Sequence, residues 1–411
     1  MRIGIFTDSY PPYTNGVSTS ILMLQRALEK KGHTVYVVTV NPENMQYKYE
    51  DDDKIIRIPG IPTGIYDYRL TGMYPIRAVK KIKSWNLDII HSHTEFGIGT
   101  FARLISIEFN IPLVHTYHTM YEDYVEAITK GYFDKSSKKI VEYITKFFCD
   151  KTCTELIVPT KKTYDLFKQK YKYDRDIYII PTGIETERFY PEKYSKNELD
   201  LIRKKCKMRK DDFVILYLGR LGKEKNIEFI IDVYASIAKK EPRIKLLLVG
   251  DGPDEDFLKK KAEEYGVSKN VVFAGKVPYE DAPKYYNISN VFVTASHFET
   301  QGLTVVEALA AGVPAVCIND ESFNGTVIND YNGFIFNTKE ECEEAILKIK
   351  HDKSLTKRLK KGASASAEMH SSKYFADQII TIYEKVIKNG NTDLKSKIIN
   401  FFKRRGNKWK N

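Results

Sequence analysis

Cysteine is too sparse and too scattered in this 411-residue chain to staple it. Cys149, Cys153, Cys206, Cys317 and Cys342 are odd in number, form no CxxC pair and have no histidine at zinc-finger spacing. That pattern excludes a small disulfide scaffold and a zinc finger, and predicts a reducing compartment. Long apolar runs are missing too: the longest, Ala308 to Ile318, spans 11 residues and includes Gly and Pro. A membrane span needs about 18. Ile3 to Phe6, between Arg2 and Asp8, are too few for a signal-peptide core, so the expectation is an unexported chain. Internal repeats and low-complexity tracts are absent. With 42% hydrophobic and 29% charged residues, the chain can bury a core, and its length predicts two or three domains.

Acidic residues are missing from two short segments, and this locates the charge. The formal net charge is +11. Residues 395–411 carry seven Lys/Arg, and residues 69–83 carry five (Arg69, Arg77, Lys80, Lys81, Lys83), without an acid in either. The rest of the chain is therefore near neutral. In the tail, Leu394, Ile398, Phe401 and Phe402 share one helical face while Lys395, Lys403 and Arg404 face away, with Arg405 and Trp409 following. Around 75–86, Ile76, Val79, Ile82 and Trp85 recur beside Arg77, Lys80, Lys81 and Lys83. Both segments can lie on an anionic membrane surface, although a core helix of an α/β domain would carry the same stripe at 75–86. A third stripe, Ile140, Val141, Ile144, Phe147 and Phe148, reads as core. Aromatics gathered on one face with aliphatics make no stacking platform, so nucleic acid is not an expected partner.

Strand and helix patterns alternate along the chain. MRIGIFTD, HTVYVVTV, LDIIHSH, IPLVHTYH, ELIVPT and DIYIIPTG read as strands, with a helix at 17–31 closed by Gly32. A polar stretch, 186–211, reads as a domain joint. The pattern then restarts with DFVILYLG, IKLLLVGDG, NVVFAG, NVFVTAS and PAVCIN, separated by helices at 225–239, 254–265 and 303–311. Two doubly wound parallel sheets follow, with ligands expected past the carboxyl ends of their strands.

Several residues sit where such ligands bind. Gly16 opens the helix after the first strand, where bare backbone can approach a ligand. FGIGTFA matches a GxGxxA pattern but does not follow the first strand, so it reads as a chance match. GRLGKEKN is no P-loop, yet it puts Arg220 and Lys225 between a strand and a helix mouth, a setting suited to a diphosphate. HFETQGLTVVEALAAGVP offers a second helix start at Gly302, Leu303 and Thr304, flanked by Glu299 and Glu307. A glycosidase-like carboxylate pair is conceivable. Sugar and ribose hydroxyl recognition fits better, because phosphate-binding features lie between the two acids.

Together, GRLGKEKN, GDGP and the Glu-x7-Glu unit of FETQGLTVVEALAAGVP resemble the donor half of retaining glycosyltransferases of family 4, which have the GT-B fold. FTDSYPPYTNGVS resembles that family's glycine loop, with Asn15 where a second Gly is common, and LVHTYHT places His118 where the family keeps an active-site histidine. HSHTEFGIG, PLVHTYHTMYEDY and the basic amphipathic segments are most similar to the diacylglycerol glucosyltransferases of Gram-positive bacteria and mycoplasmas.

The resemblance implies an acceptor domain at 1–185, a nucleotide-sugar domain at 186–372, the two facing a cleft, and a C-terminal segment, 373–411, whose helix returns to the first domain. It implies UDP-glucose as donor and diacylglycerol as acceptor, on the cytoplasmic face of the membrane with anionic lipid as a partner. No tightly bound cofactor and no metal is expected. Arg220, Lys225 and the Gly302–Thr304 amides would hold the diphosphate, Glu307 the ribose, Glu299 the donor sugar, and the backbone near Val277 the base; His118 would orient the sugar. Alternatives that remain open are a phosphatidylinositol, soluble or polysaccharide acceptor and, in another class, a dinucleotide-dependent oxidoreductase.

Overall fold

The computed structural model describes residues 1–13, 15–62, 69–72, 74–95, 97–118, 145–146, 148–149, 152–297, 299 and 301–390. Contacts divide the chain into two units, Met1–Gly183 with Ser372–Asn411, and Ile184–Ser371. The first unit contains β1 (Arg2–Phe6), β2 (Thr34–Val40), β3 (Lys48–Glu50), β4 (Ile55–Ile58), β5 (Gly60–Pro62), β6 (Arg69–Thr71), β7 (Ile89–Ser92), β8 (Leu113–Thr116), β9 (Glu155–Val158) and β10 (Ile177–Ile179). An eight-stranded sheet orders them β10-β9-β8-β7-β1-β2-β4-β3, and β5–β6 form a separate antiparallel hairpin. Every pair in the sheet is parallel except the β3–β4 edge.

Parallel strands are covered on both faces and so read as continuous apolar runs, with successive side chains pointing to opposite sides. Phe6, Ile90 and Leu113 join one core with Ile82, Trp85, Phe101 and Ile105 from the Ile76–Trp85 and Gly97–Phe109 helices. Ile5, Ile89 and Val114 point the other way, onto the Gly16–Lys30 helix and onto Phe375, Ile379 and Tyr383 of the Ser372–Asn389 helix. The last described helix therefore completes the first unit.

The second unit contains β11 (Phe213–Leu218), β12 (Ile244–Val249), β13 (Val271–Gly275), β14 (Val291–Thr294), β15 (Ala315–Ile318) and β16 (Gly333–Phe336). Its all-parallel sheet runs β13-β12-β11-β14-β15-β16. Each sheet reverses winding once, between β1 and β7 in the first unit and between β11 and β14 in the second. Those are the switch points where α/β folds bind ligands.

Two expectations change. The two units divide just before the polar stretch 186–211, and the stretch itself folds into the second: Ser195 and Glu198 form a capping box on the Lys196–Lys205 helix, and Phe189, Cys206 and Met208 enter the second core. Its polarity reflects an exposed helix of good helix formers. The Ile76–Trp85 helix turns its apolar stripe inward. Ala78, Ile82 and Trp85 are buried and Val79 packs on the same core, because a helix covering a sheet must bury one face. Only Ile76 of that stripe faces out, 75% exposed, beside exposed Arg77, Lys80 and Lys83, while Lys81 bonds Asp53 at 2.7 Å. The tail carrying Ile398, Phe401, Phe402, Lys403, Arg404, Arg405 and Trp409, and the positions Ile140, Val141, Ile144 and Phe147, lie outside the described residues.

Candidate active site

In the second unit the loops after β11 and β14 meet at the switch point. Past β11 the backbone passes Gly219 and Arg220 into a short turn at Lys223–Lys225, and Asn226, in the left-handed region, starts the Ile227–Ala238 helix. Tyr217 Oη donates to the Arg220 carbonyl at 2.9 Å, tying the loop to the strand beneath it. Gly250, after β12, lies so close to the Gly219 carbonyl that a side chain there would collide with it. Past β14 comes Glu299, and Lys225 Nζ donates to Glu299 Oε1 at 2.5 Å. The Arg220 guanidinium bonds the Glu224 carboxylate. Both cations at the switch point thus face carboxylates, which position them and temper their charge.

The Leu303–Ala310 helix follows this loop, and its N-cap residue, Gly302, has no side chain with which to cap it. Gly302 has φ 72 and ψ 59, and a Cβ on it would come within 2.6 Å of the Phe323 ring. Glycine is therefore required, and the helix presents backbone at Leu303 and Thr304, both only partly buried. One turn in, Glu307 is 5% exposed and accepts from Tyr286 Oη at 2.7 Å. Burial pushes its carboxyl up to about 7, against the opposing effects of the Tyr286 bond and the Arg188 charge. Val277 stands just past β13 at the sheet edge, with β12 and β11 between it and β14.

In the first unit the switch point joins Asp8, after β1, to Thr94, after β7. Thr94 Oγ1 donates to Asp8 Oδ2 at 2.6 Å, and the Ile98 amide, at the mouth of the Gly97–Phe109 helix, donates to Oδ1 at 3.1 Å. Desolvation nonetheless raises Asp8 to about 6. A Cβ on Gly97 would sit 2.6 Å from Asp8 Oδ1, and one on Gly99 1.8 Å from the Thr94 carbonyl. Gly97 and Gly99 of the GxGxxA match are thus held to glycine by close packing at the switch point. Gly16 is exposed with open space where a side chain would stand, and Asn15 caps its helix by accepting from Ser18 N at 2.9 Å.

Four histidines gather at the carboxyl ends of β7 and β8. His91 bonds Tyr383 Oη at 2.6 Å through Nδ1 and Thr116 Oγ1 at 2.7 Å through Nε2. His93 Nδ1 lies 2.9 Å from His118 Nε2. His115 bonds the Ser92 carbonyl at 2.9 Å and Glu95 Oε1 at 3.0 Å. Burial holds His91 and His93 well below the ordinary range, lowers His115, and brings His118 to about 4, so all four are neutral at pH 7. Among the described residues, Glu95, His115 and Cys149 could together hold a metal ion. The Arg103 charge reaches the same place and lowers His115, which opposes a cation there.

The second switch point holds Arg220, Lys225, Glu299, Gly302, Leu303, Thr304 and Glu307, all singled out from the sequence. Sequence reasoning missed Glu224, Asp8 and His93. The available signals were an acid at the first strand end and the i, i+2 spacing of His91 and His93, which puts both on one strand face.

Glycosyltransferase Family 4 is the family model that matches residues 14–188, and Glycosyl transferases group 1 matches residues 199–366. Alpha-monoglucosyldiacylglycerol synthase from Acholeplasma laidlawii is 35% identical over 403 residues, 97% of this chain and 100% of that protein. The synthase of the same name from Streptococcus pneumoniae is 36% identical over 348 residues, 84% of this chain and 78% of that protein. Among solved structures, sucrose-phosphate synthase from Thermosynechococcus elongatus superposes with a TM-score of 0.74 at 20% identity, covering 95% of this chain and 100% of that one. Anabaena Alr3699/HepE in complex with UDP-glucose gives 0.71 at 16% identity, covering 94% and 100%.

Proposed function

We propose a reaction from one premise: the chain is a GT-B glycosyltransferase and belongs to the family of the bacterial alpha-monoglucosyldiacylglycerol synthases. The enzyme transfers glucose from UDP-glucose to diacylglycerol, with retention, as a peripheral protein at the cytoplasmic face of the membrane. The observation that carries this reading is 35% identity to such a synthase along essentially the whole of both chains.

In the proposed reaction Arg220, Lys225 and the amides at Gly302–Thr304 hold the diphosphate and stabilise the charge that develops on it as the sugar–phosphate bond lengthens. Glu307 accepts from the ribose hydroxyls, Glu299 from those of the donor sugar, and the backbone near Val277 meets the base. His118 orients the transferred sugar, and Gly16 leaves room for it. The bond from the anomeric carbon to the β-phosphate oxygen breaks, and a bond to the acceptor hydroxyl forms on the same face. The proton of that hydroxyl passes to the leaving phosphate. Fixed cations and a helix start supply the charge stabilisation, so the proposal routes no step through a metal.

Membrane contact is assigned to the tail and to the hairpin region. Ile61 and Leu70 face each other across β5–β6, 60% and 57% exposed, and Ile76 follows beside Arg77 and Lys80. Isolated exposed apolar residues are ordinary, but exposed apolar residues interspersed with cations fit an anionic interface. Among the described residues, no helix is long and apolar enough to cross a membrane.

The test is transfer of radiolabelled glucose from UDP-glucose into vesicles of diacylglycerol and anionic lipid, with the full chain and with residues 395–411 removed. Glucolipid that falls on truncation and at high salt is the expected result. Slow release of UDP into water with no label in lipid would overturn the acceptor.

A further inference from the structure

We propose that His93 is a positioning residue for His118: by bonding His118 Nε2 through its own Nδ1, it fixes which tautomer His118 presents and how its ring is held. This rests on the role given to His118 above. The two nitrogens are 2.9 Å apart, and the rings lie 5.2 Å apart at 21°.

The proton count decides the tautomer. Two ring nitrogens 2.9 Å apart form a hydrogen bond only with a single proton between them. His93 is 2% exposed, and its Nε2 has no partner among the described residues. A proton on that Nε2 would be a buried N–H with no acceptor among the described residues, a rarer arrangement than an unsatisfied acceptor. His93 therefore carries its proton on Nδ1 and donates to His118 Nε2. His118 must then carry its own proton on Nδ1, and it presents a hydrogen-bond donor instead of a base. A donor suits a transfer in which charge on sugar and phosphate oxygens has to be stabilised and the leaving phosphate removes the acceptor proton.

The surroundings keep this arrangement in place. The His93 amide donates to the Phe6 carbonyl at 2.9 Å, fixing the residue to β1. The His91 ring packs 4.0 Å from that of His93 and cannot substitute for it, since both its nitrogens bond Tyr383 and Thr116. His115 is likewise committed to Ser92 and Glu95.

Three variants test this in the full chain. Asn at position 93 places its amide where Nδ1 stands and keeps a donor, whereas Phe removes it, and Gln puts its amide at the Nε2 position and loses the bond. H93F should lower kcat about 10–100-fold with KM for UDP-glucose within about threefold, and H93N should restore kcat to within about threefold of wild type. Nitrogen-15 spectra of histidine-labelled protein, with His118 assigned from H118N, should show His118 as the Nδ1–H tautomer in wild type and H93N, and as a mixture in H93F. If H93F folds poorly, H93Q provides the same comparison. An Nε2–H tautomer in wild type, or an unchanged tautomer and kcat in H93F, would overturn the proposal. Full kcat in H118A would overturn it through its premise, and the spectra would show that the bond itself was not at fault.

Discussion

Titrating UDP-glucose into the enzyme without lipid, from pH 8 down to pH 5.5, should expose the proton on Glu307. Burial raises this carboxyl to about 7, so near neutral pH it is about half protonated before ligand arrives. Ribose hydroxyls donating to it favour the ionised form and return its pKa toward the ordinary range, so binding must expel the proton. At pH 7 about half a proton should be released per ligand, and the dissociation constant should rise about 30-fold between pH 8 and pH 5.5. UDP-glucose is the right probe, since its diphosphate does not titrate in this window. Calorimetry in two buffers of different ionisation heat reads the release, and the isotherms read the affinity. Stability should move oppositely. A carboxyl whose pKa is raised on folding adds most stability below its unfolded value and loses it as pH rises through 7, so E307Q should be more stable than wild type at pH 8, by about 1–3 kcal/mol, while binding UDP-glucose more weakly. Affinity independent of pH with no proton released would refute the ribose role.

Lys225→Met should lower kcat about 100–1,000-fold, the cost of removing a donor aimed at developing charge, and leave Glu299 without its partner; rates at saturating UDP-glucose check it. Asp8 has a folded pKa of about 6. Its contribution is largest below pH 4 and is lost as pH rises through 6, by up to about 3 kcal/mol, so denaturant unfolding of D8N should show a flatter pH slope than wild type. Parallel slopes would contradict that assignment. Gly99→Ala drives a Cβ into the Thr94 carbonyl and should cost about 3 kcal/mol, visible as a lowered melting temperature. Replacing Ile61, Leu70 and Ile76 together by Ser should reduce sedimentation with anionic vesicles at unchanged melting temperature.

The sequence announced its fold where burial left no ambiguity. FVILYL and IKLLLV are covered on both faces, so composition alone marks them as parallel strands. The β5–β6 hairpin was illegible because each arm is only three residues long and partly exposed, and β5 includes both Gly and Pro. The Ile76–Trp85 helix was ambiguous in principle: its stripe would look the same against lipid or sheet, and only the fold decides. Within the site, a position just past a strand was enough to pick out Arg220 and Lys225. The bond from Lys225 to Glu299 spans 74 residues and has no local signature. His93 was hidden for a related reason, since its partner, His118, lies just past the neighbouring strand and the pairing of β7 with β8 brings them together.

The placement of the Ser372–Asn389 helix has a consequence for how the protein is made. When Gly183 leaves the ribosome every strand of the first sheet has been synthesised, yet the face that Phe375, Ile379, Tyr383 and Val386 will cover is still open. All of Ile184–Ser371 must be translated before that cover emerges, a delay of about 10–40 s at about 5–20 residues per second. Throughout that interval the Gly16–Lys30 helix, which packs against the Ser372–Asn389 helix in the finished fold, lacks that neighbour and leaves an open apolar surface suited to capture by a chaperone. The second unit is contiguous and has no such wait, so it can finish folding while the half that began first is still incomplete.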